Sequence, residues 1–221
     1  AADTSTGYLS NVVNGQVDIK LVSSADAGDF CTISTTTAGA TTIKTNDVDA
    51  AAADLTLDVD GSIYALSDGV QFQSPNANDP LVIIKNTAND ATGPRLRLAN
   101  VRGGASPVDG QDNDECGMLQ FNSYDDGTPS TQTYGQIKST IHDATSGEES
   151  GKLELQVASH DGGTETGLTL NGGSVDAEVD VTVGRGLASV TTIAGNLTSG
   201  GTITGEFMVA EDSITADNFI G

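Results

Sequence analysis

Hydrophobic residues in this chain alternate with polar ones over short stretches and never gather into long runs. The clearest case is Lys152-Leu153-Glu154-Leu155-Gln156-Val157, which puts three apolar side chains on one side of a strand and three polar ones on the other. Leu55-Thr56-Leu57-Asp58-Val59-Asp60 has the same period; Gly61 ends it and Ser62-Ile63 begins the return. Val17-Asp18-Ile19-Lys20-Leu21 is a shorter version, set among Gly and Asp/Ser clusters between residues 7 and 44. Longer strands are predicted over 81–85, 95–101, 118–123, 134–142 and 152–159, with turns at Asp125-Asp126-Gly127 and Asp161-Gly162-Gly163. One short helix is expected over 46–53, where Asp47 or Asp49 can cap the four alanines that follow. After Gly173 the strands shorten to pieces such as Val179-Asp180-Val181-Thr182-Val183 and Gly201-Thr202-Ile203-Thr204-Gly205, too small-residued to bury a core alone.

Strands repeatedly broken by turn signals, with no βαβ rhythm, predict an all-β fold of short antiparallel strands in a sandwich or an intertwined β-structure. Ser74-Pro75-Asn76-Ala77-Asn78-Asp79-Pro80 cannot belong to a central strand and marks a junction. The expected organisation is an N-terminal attachment or stalk segment over 1–53, a hairpin and Pro-rich junction over 54–80, a main β-domain over 81–175 and a slender β-repeat stalk over 176–221. Leu55-Thr56-Leu57 with Gly61-Ser62-Ile63 resembles Leu168-Thr169-Leu170 with Gly173-Ser174-Val175, but two loose copies do not establish a repeat.

Composition sharpens this picture. Only 36% of the 221 residues are hydrophobic and 4% aromatic, with no Trp, so a thick self-contained core is not expected; burial is thin or shared between chains. Thirty-one acids against nine bases give a formal charge of -22, which disfavours nucleic acid and anionic membrane as partners. Solubility in salty water accounts for such a charge, and divalent-cation binding is the alternative. Cys31 and Cys116 are too few and too far apart for a disulfide framework or a metal pair and are expected to be buried free thiols. No apolar run approaches the ~20 residues of a membrane helix, and Ala1-Ala2-Asp3-Thr4-Ser5-Thr6 lacks the basic and apolar regions of a secretion signal, so synthesis in a cytoplasm is expected.

Candidate chemistry is sparse, and no enzyme is expected. His142 and His160 are the only histidines, and no nucleophile motif accompanies either. Carboxylate pairs of the glycosidase type arise by chance in so acidic a chain, and sugar-stacking aromatics are nearly absent. For calcium the best loop is Asp109-Gly110-Gln111-Asp112-Asn113-Asp114-Glu115, in which Asp109, Asp112, Asp114 and Glu115 are the candidate ligands; it is not an EF-hand, and a solvated acidic loop is the competing reading. Arg95, Arg97 and Arg102 form the one basic cluster, suited either to pairing with surplus acids on the surface or between subunits, or to an anionic host glycan. Asn196-Leu197-Thr198 matches a glycosylation triplet and is read as a turn.

A resemblance adds to these readings. From residue 54 to about residue 195 the chain is similar to a module common in fibre and tail-fibre proteins of marine bacteriophages, including those of cyanobacteria. The likeness runs through Asp54-Leu55-Thr56-Leu57-Asp58-Val59-Asp60-Gly61, Asp79-Pro80-Leu81-Val82-Ile83-Ile84-Lys85-Asn86-Thr87, Gly93-Pro94-Arg95-Leu96, Gly117-Met118-Leu119-Gln120-Phe121, Gly151-Lys152-Leu153-Glu154-Leu155 and Ala177-Glu178-Val179-Asp180-Val181. It implies a virion component contributing to host attachment, a homotrimer elongated along a β-structured axis and in contact with other virion proteins. No receptor-binding tip is evident up to Phe219-Ile220-Gly221. The alternatives are a capsid-decorating or receptor-binding module, a polysaccharide depolymerase and a cellular surface adhesin.

Overall fold

The computed structural model describes residues 19–49, 52–127 and 129–204. Among them there is no helix; eight strands form two antiparallel sheets. The chain divides into two compact units, Ala1–Leu81 and Val82–Gly221.

The first unit holds a three-stranded sheet in the order β1 (Ile19–Val22), β2 (Phe30–Thr35), β3 (Thr41–Asn46). Its turns are made locally. Asp26 accepts from the Gly28 amide at 2.6 Å, and Gly39, at φ 82°, closes the β2–β3 connection with a 2.9 Å bond from its N–H to the Thr36 carbonyl. Register sets Ile19, Ile33 and Ile43 side by side on one face and Lys20, Thr32 and Lys44 on the other. There the Lys20 ammonium lies 3.8 Å from the Phe30 ring centroid.

The second unit is a five-stranded meander, β4 (Glu115–Tyr124), β5 (Thr131–Asp143), β6 (Ser150–Ala158), β7 (Thr164–Gly172) and β8 (Val179–Val183), each strand paired with the next. Short turns dictate that order. Asp125 accepts from the Ser130 hydroxyl at 2.5 Å, Asp143 from the Thr145 amide at 2.8 Å, Asp161 from the Ser159 hydroxyl at 2.6 Å, and Glu178 from the Ser174 amide at 2.7 Å, so each of the four hairpins carries a carboxylate bond.

Several expectations are corrected. Val17 and Asp18 lie outside the described residues, and β1 starts at Ile19. The helix over 46–53 does not form at its described positions: Asn46 ends β3, and the Asp47 carboxylate accepts from the Asp49 amide at 2.8 Å in a turn, the competing use of a short acid. The stretches 55–59, 81–85 and 95–101 run without bend or turn, but none joins a ladder. Alternation specifies an amphipathic strand; a ladder also needs a neighbour, and no other part of the described chain supplies one. Cys31 and Cys116 are free thiols but only half-buried. The cause is general: among the described residues no hydrophobic side chain is buried.

Candidate functional site

Register decides what the β4–β8 sheet presents. Leu119 pairs with Ile137, Ile137 with Leu155, Leu155 with Leu168 and Leu168 with Val183, one apolar row across all five strands. A second row runs Ser139, Leu153, Leu170, Val181, and Phe121 and Val157 extend the same face around Gly135. Neither of the first two rows contains a charged residue. With strands ~4.8 Å apart and rows ~6.8 Å apart, this face covers about 500 Å², the upper end of what a monomer leaves bare.

The opposite face is polar and organised. Gln120 Nε2 donates to Gln136 Oε1 at 3.3 Å, Gln136 Nε2 to Gln156 Oε1, and Gln156 Nε2 to Thr166 Oγ1 at 3.1 Å, a ladder over four strands. Thr166 Oγ1 donates in turn to Glu154 Oε1 at 3.2 Å. Lys138 pairs with Glu115 at 3.5 Å on this side. Thr140, 5% exposed, is one of two buried polar residues described, and its hydroxyl has no partner.

In β6 the two faces invert the usual distribution of exposure. Along β6 the polar Lys152, Glu154 and Gln156 are half-buried, while Leu153, Leu155 and Val157 are exposed. The Glu154 side chain retains 16% of its surface and Leu155 41%. Long polar side chains lie across one another on their face, whereas no hydrophobic side chain of the apolar face is buried among the described residues. One margin of that face is touched: a Cβ on Gly117 would come within 2.7 Å of Leu98, which lines a cavity with Leu119, Ile137 and Leu153, and one on Gly110 would come within 2.9 Å of Ile141. In the first unit Ile43 and Leu21 are each 54% exposed on the face that carries the isoleucine row, while Ile19 and Ile33 are half-buried.

The acidic loop is built for folding. Asn113, at φ 68°, turns the chain so that its amide donates to the Ile141 carbonyl at 2.8 Å, and the Ile141 amide returns to the Asp114 carbonyl at 2.9 Å. The candidate ligands diverge as a result. Asp112 accepts from the Ala144 amide at 2.8 Å, Asp114 from the Gln111 amide at 2.9 Å and from Arg102 at 3.1 Å, and Glu115 pairs with Lys138, while Asp109 is exposed. Among the described residues no group of three or more His, Cys, Asp or Glu side chains is arranged to hold a metal ion.

The arginines separate too. Arg102 is held by Asp114, whereas Arg95 and Arg97 are exposed on the unpaired stretch before it, with no hydrogen bond or ion pair among the described residues. His142 Nδ1 lies 3.0 Å from the Ser150 hydroxyl across a hairpin, and the nearby Asp143 carboxyl is held below its ordinary range by the Thr145 amide, then by the Thr145 hydroxyl and the His142 charge. That arrangement orders a turn and sets a serine hydroxyl against an imidazole. No helix is long and apolar enough to cross a membrane among the described residues.

Sequence reasoning missed the continuous apolar row and the glutamine ladder. Their signal was present, as alternation in each strand, but alignment of the faces depends on register. No known protein family matches the chain, and no curated protein matches it.

Proposed function

We propose that this protein is a non-enzymatic structural subunit of a bacteriophage virion appendage of the tail-fibre type. Copies of the chain associate, as a homotrimer by the resemblance, and bury the apolar sheet faces against one another. The appendage carries the virion toward its host, and its polar and acidic outer surface meets solvent, other virion proteins and host surface glycan.

One observation carries this reading: a five-stranded sheet with a continuous apolar face on which, among the described residues, no hydrophobic side chain is buried. Burying about 500 Å² of apolar surface contributes about 12 kcal/mol per chain at ~25 cal/mol per Å². That matches the whole ~5–15 kcal/mol stability of a typical domain, so a permanent cover, rather than a transient partner, fits the need. A structural subunit made in many copies supplies such a cover from itself. The resemblance from residue 54 to about residue 195 supplies the virion context.

Light scattering with small-angle X-ray scattering on the purified chain tests the assembly: three chains in an elongated particle are expected, and a compact monomer overturns it. Immunogold labelling of particles tests the location, with label on an appendage expected. In assembled protein, replacing Arg95 and Arg97 together by Ala is expected to reduce adsorption to host cells at least tenfold with particle mass unchanged. Loss of assembly instead would assign these arginines to contacts between subunits.

A further inference from the structure

On the polar face of the second unit, register sets Thr140, Lys152, Asn171 and Asp180 side by side in one row across β5–β8. Among the described residues two buried side-chain polar atoms have no hydrogen-bond partner, Thr140 Oγ1 and Asn171 Oδ1, and these two residues flank Lys152 in that row. Buried polar atoms are nearly always paired, so an open carboxamide oxygen next to a lysine needs a reason.

Glu154 completes the group. It follows Lys152 by two positions on β6 and so shares its face, and it pairs with Thr169, which makes it the diagonal neighbour of Asn171. Its Oε2 lies 4.0 Å from the Lys152 ammonium, while Thr166 Oγ1 donates to its Oε1 at 3.2 Å and holds the carboxylate in place. The Lys152 and Glu154 side chains retain 27% and 16% of their surface, so both stand largely out of bulk water. Asp180, on the other side of Asn171, is exposed.

We infer that Lys152 and Asn171 become joined by an intramolecular amide bond, with Glu154 carrying the protons. Glu154 takes one proton from the Lys152 ammonium, and the freed lone pair of Nζ forms a bond to Asn171 Cγ. The carbonyl electron pair moves onto Oδ1, the atom that no other group engages. Glu154 then hands its proton to Nδ2, the electron pair returns, the Cγ–Nδ2 bond breaks and ammonia leaves. A second proton, lost by Nζ, goes with it. An ammonium and a carboxamide thus give an amide and an ammonium ion, and nothing is oxidised or reduced. The link ties β6 to β7 covalently in a chain whose 36% hydrophobic content supplies no thick core, and it does not depend on how copies associate.

Intact-mass spectrometry of the purified full chain, followed by tryptic digestion, tests the bond. The chain is expected to be about 17 Da lighter than its residues require, one ammonia lost. Lys152, once acylated, is expected to resist trypsin and to leave an uncut fragment from Ser139 to Arg185. A chain of full residue mass overturns the inference. So does a loss carried by a separate 153–185 fragment, which marks a succinimide at Asn171-Gly172 instead. Glu154→Gln is expected to show the full mass and an ordinary cut after Lys152, with the strand signal in circular dichroism kept, whereas Asp180→Asn is expected to remain light and uncut. A Glu154→Gln chain that still joins the two residues overturns the role given to Glu154.

Discussion

Four carboxylates at or beside the hairpin turns, Asp125, Asp143, Glu149 and Asp161, have pKa values below their ordinary range, and each owes this first to a hydrogen bond: from the Ser130 hydroxyl, the Thr145 amide, the Glu149 amide and the Ser159 hydroxyl respectively. A carboxyl with a lowered folded-state pKa stabilises the fold above its unfolded pKa, and that contribution is lost as pH falls through the folded value. The loss therefore begins near pH 4 and continues below it. Asp161→Asn is expected to lower the melting temperature at pH 7, with the difference from the parent shrinking as pH falls below about 4, which thermal melts across that pH range check. Thr140 offers the opposite case. Its buried hydroxyl has no partner, so Thr140→Val is expected to stabilise by about 1 kcal/mol, read from urea unfolding.

At the level of strands, β6 is the informative element. Leu155 lies at the centre of the apolar row, with Ile137 and Leu168 on either side. In a single chain at 41% exposure its truncation would remove little, but under a covering subunit it leaves a cavity. Leu155→Ala is expected to cost about 3 kcal/mol per chain in the assembled protein, measured by denaturant melts, and Leu155→Asp to prevent assembly. Gln136→Ala, on the opposite face, breaks the ladder between Gln120 and Gln156 and is expected to cost about 1 kcal/mol with the oligomer intact. The contrast assigns the faces. A reversed result would place the polar ladder inside the assembly.

For the whole molecule the opposing terms are apolar burial and a net charge of -22 on every copy. The two main apolar rows are uncharged, so repulsion acts between the surrounding surfaces, where salt screens it: the Debye length falls from about 10 Å at 0.1 M to about 3 Å at 1 M. Association is therefore expected to tighten as NaCl rises over that range, by tenfold or more in the dissociation constant from light scattering across a dilution series. Weaker association in high salt would mean that charge pairs, such as those open to Arg95 and Arg97, hold the assembly together.

Much of this was legible in the residues. The strands around Leu119, Ile137 and Leu155 and the turns at Asp125 and Asp161 follow from period-two alternation and from short acids that cap nearby amides, both of which act over a few residues. A thin core followed from 36% hydrophobic content without Trp. Local pattern does not carry register, so it could not align Leu119, Ile137, Leu155, Leu168 and Val183 into one row or Gln120, Gln136 and Gln156 into a ladder. Nor could it foresee that Asp112, Asp114 and Glu115, adjacent in the chain, turn to Ala144, Arg102 and Lys138 on separate elements. Alternation states that a segment has an inside and an outside; pairing across strands decides which insides join, and here it joins them into a face that a single chain leaves open.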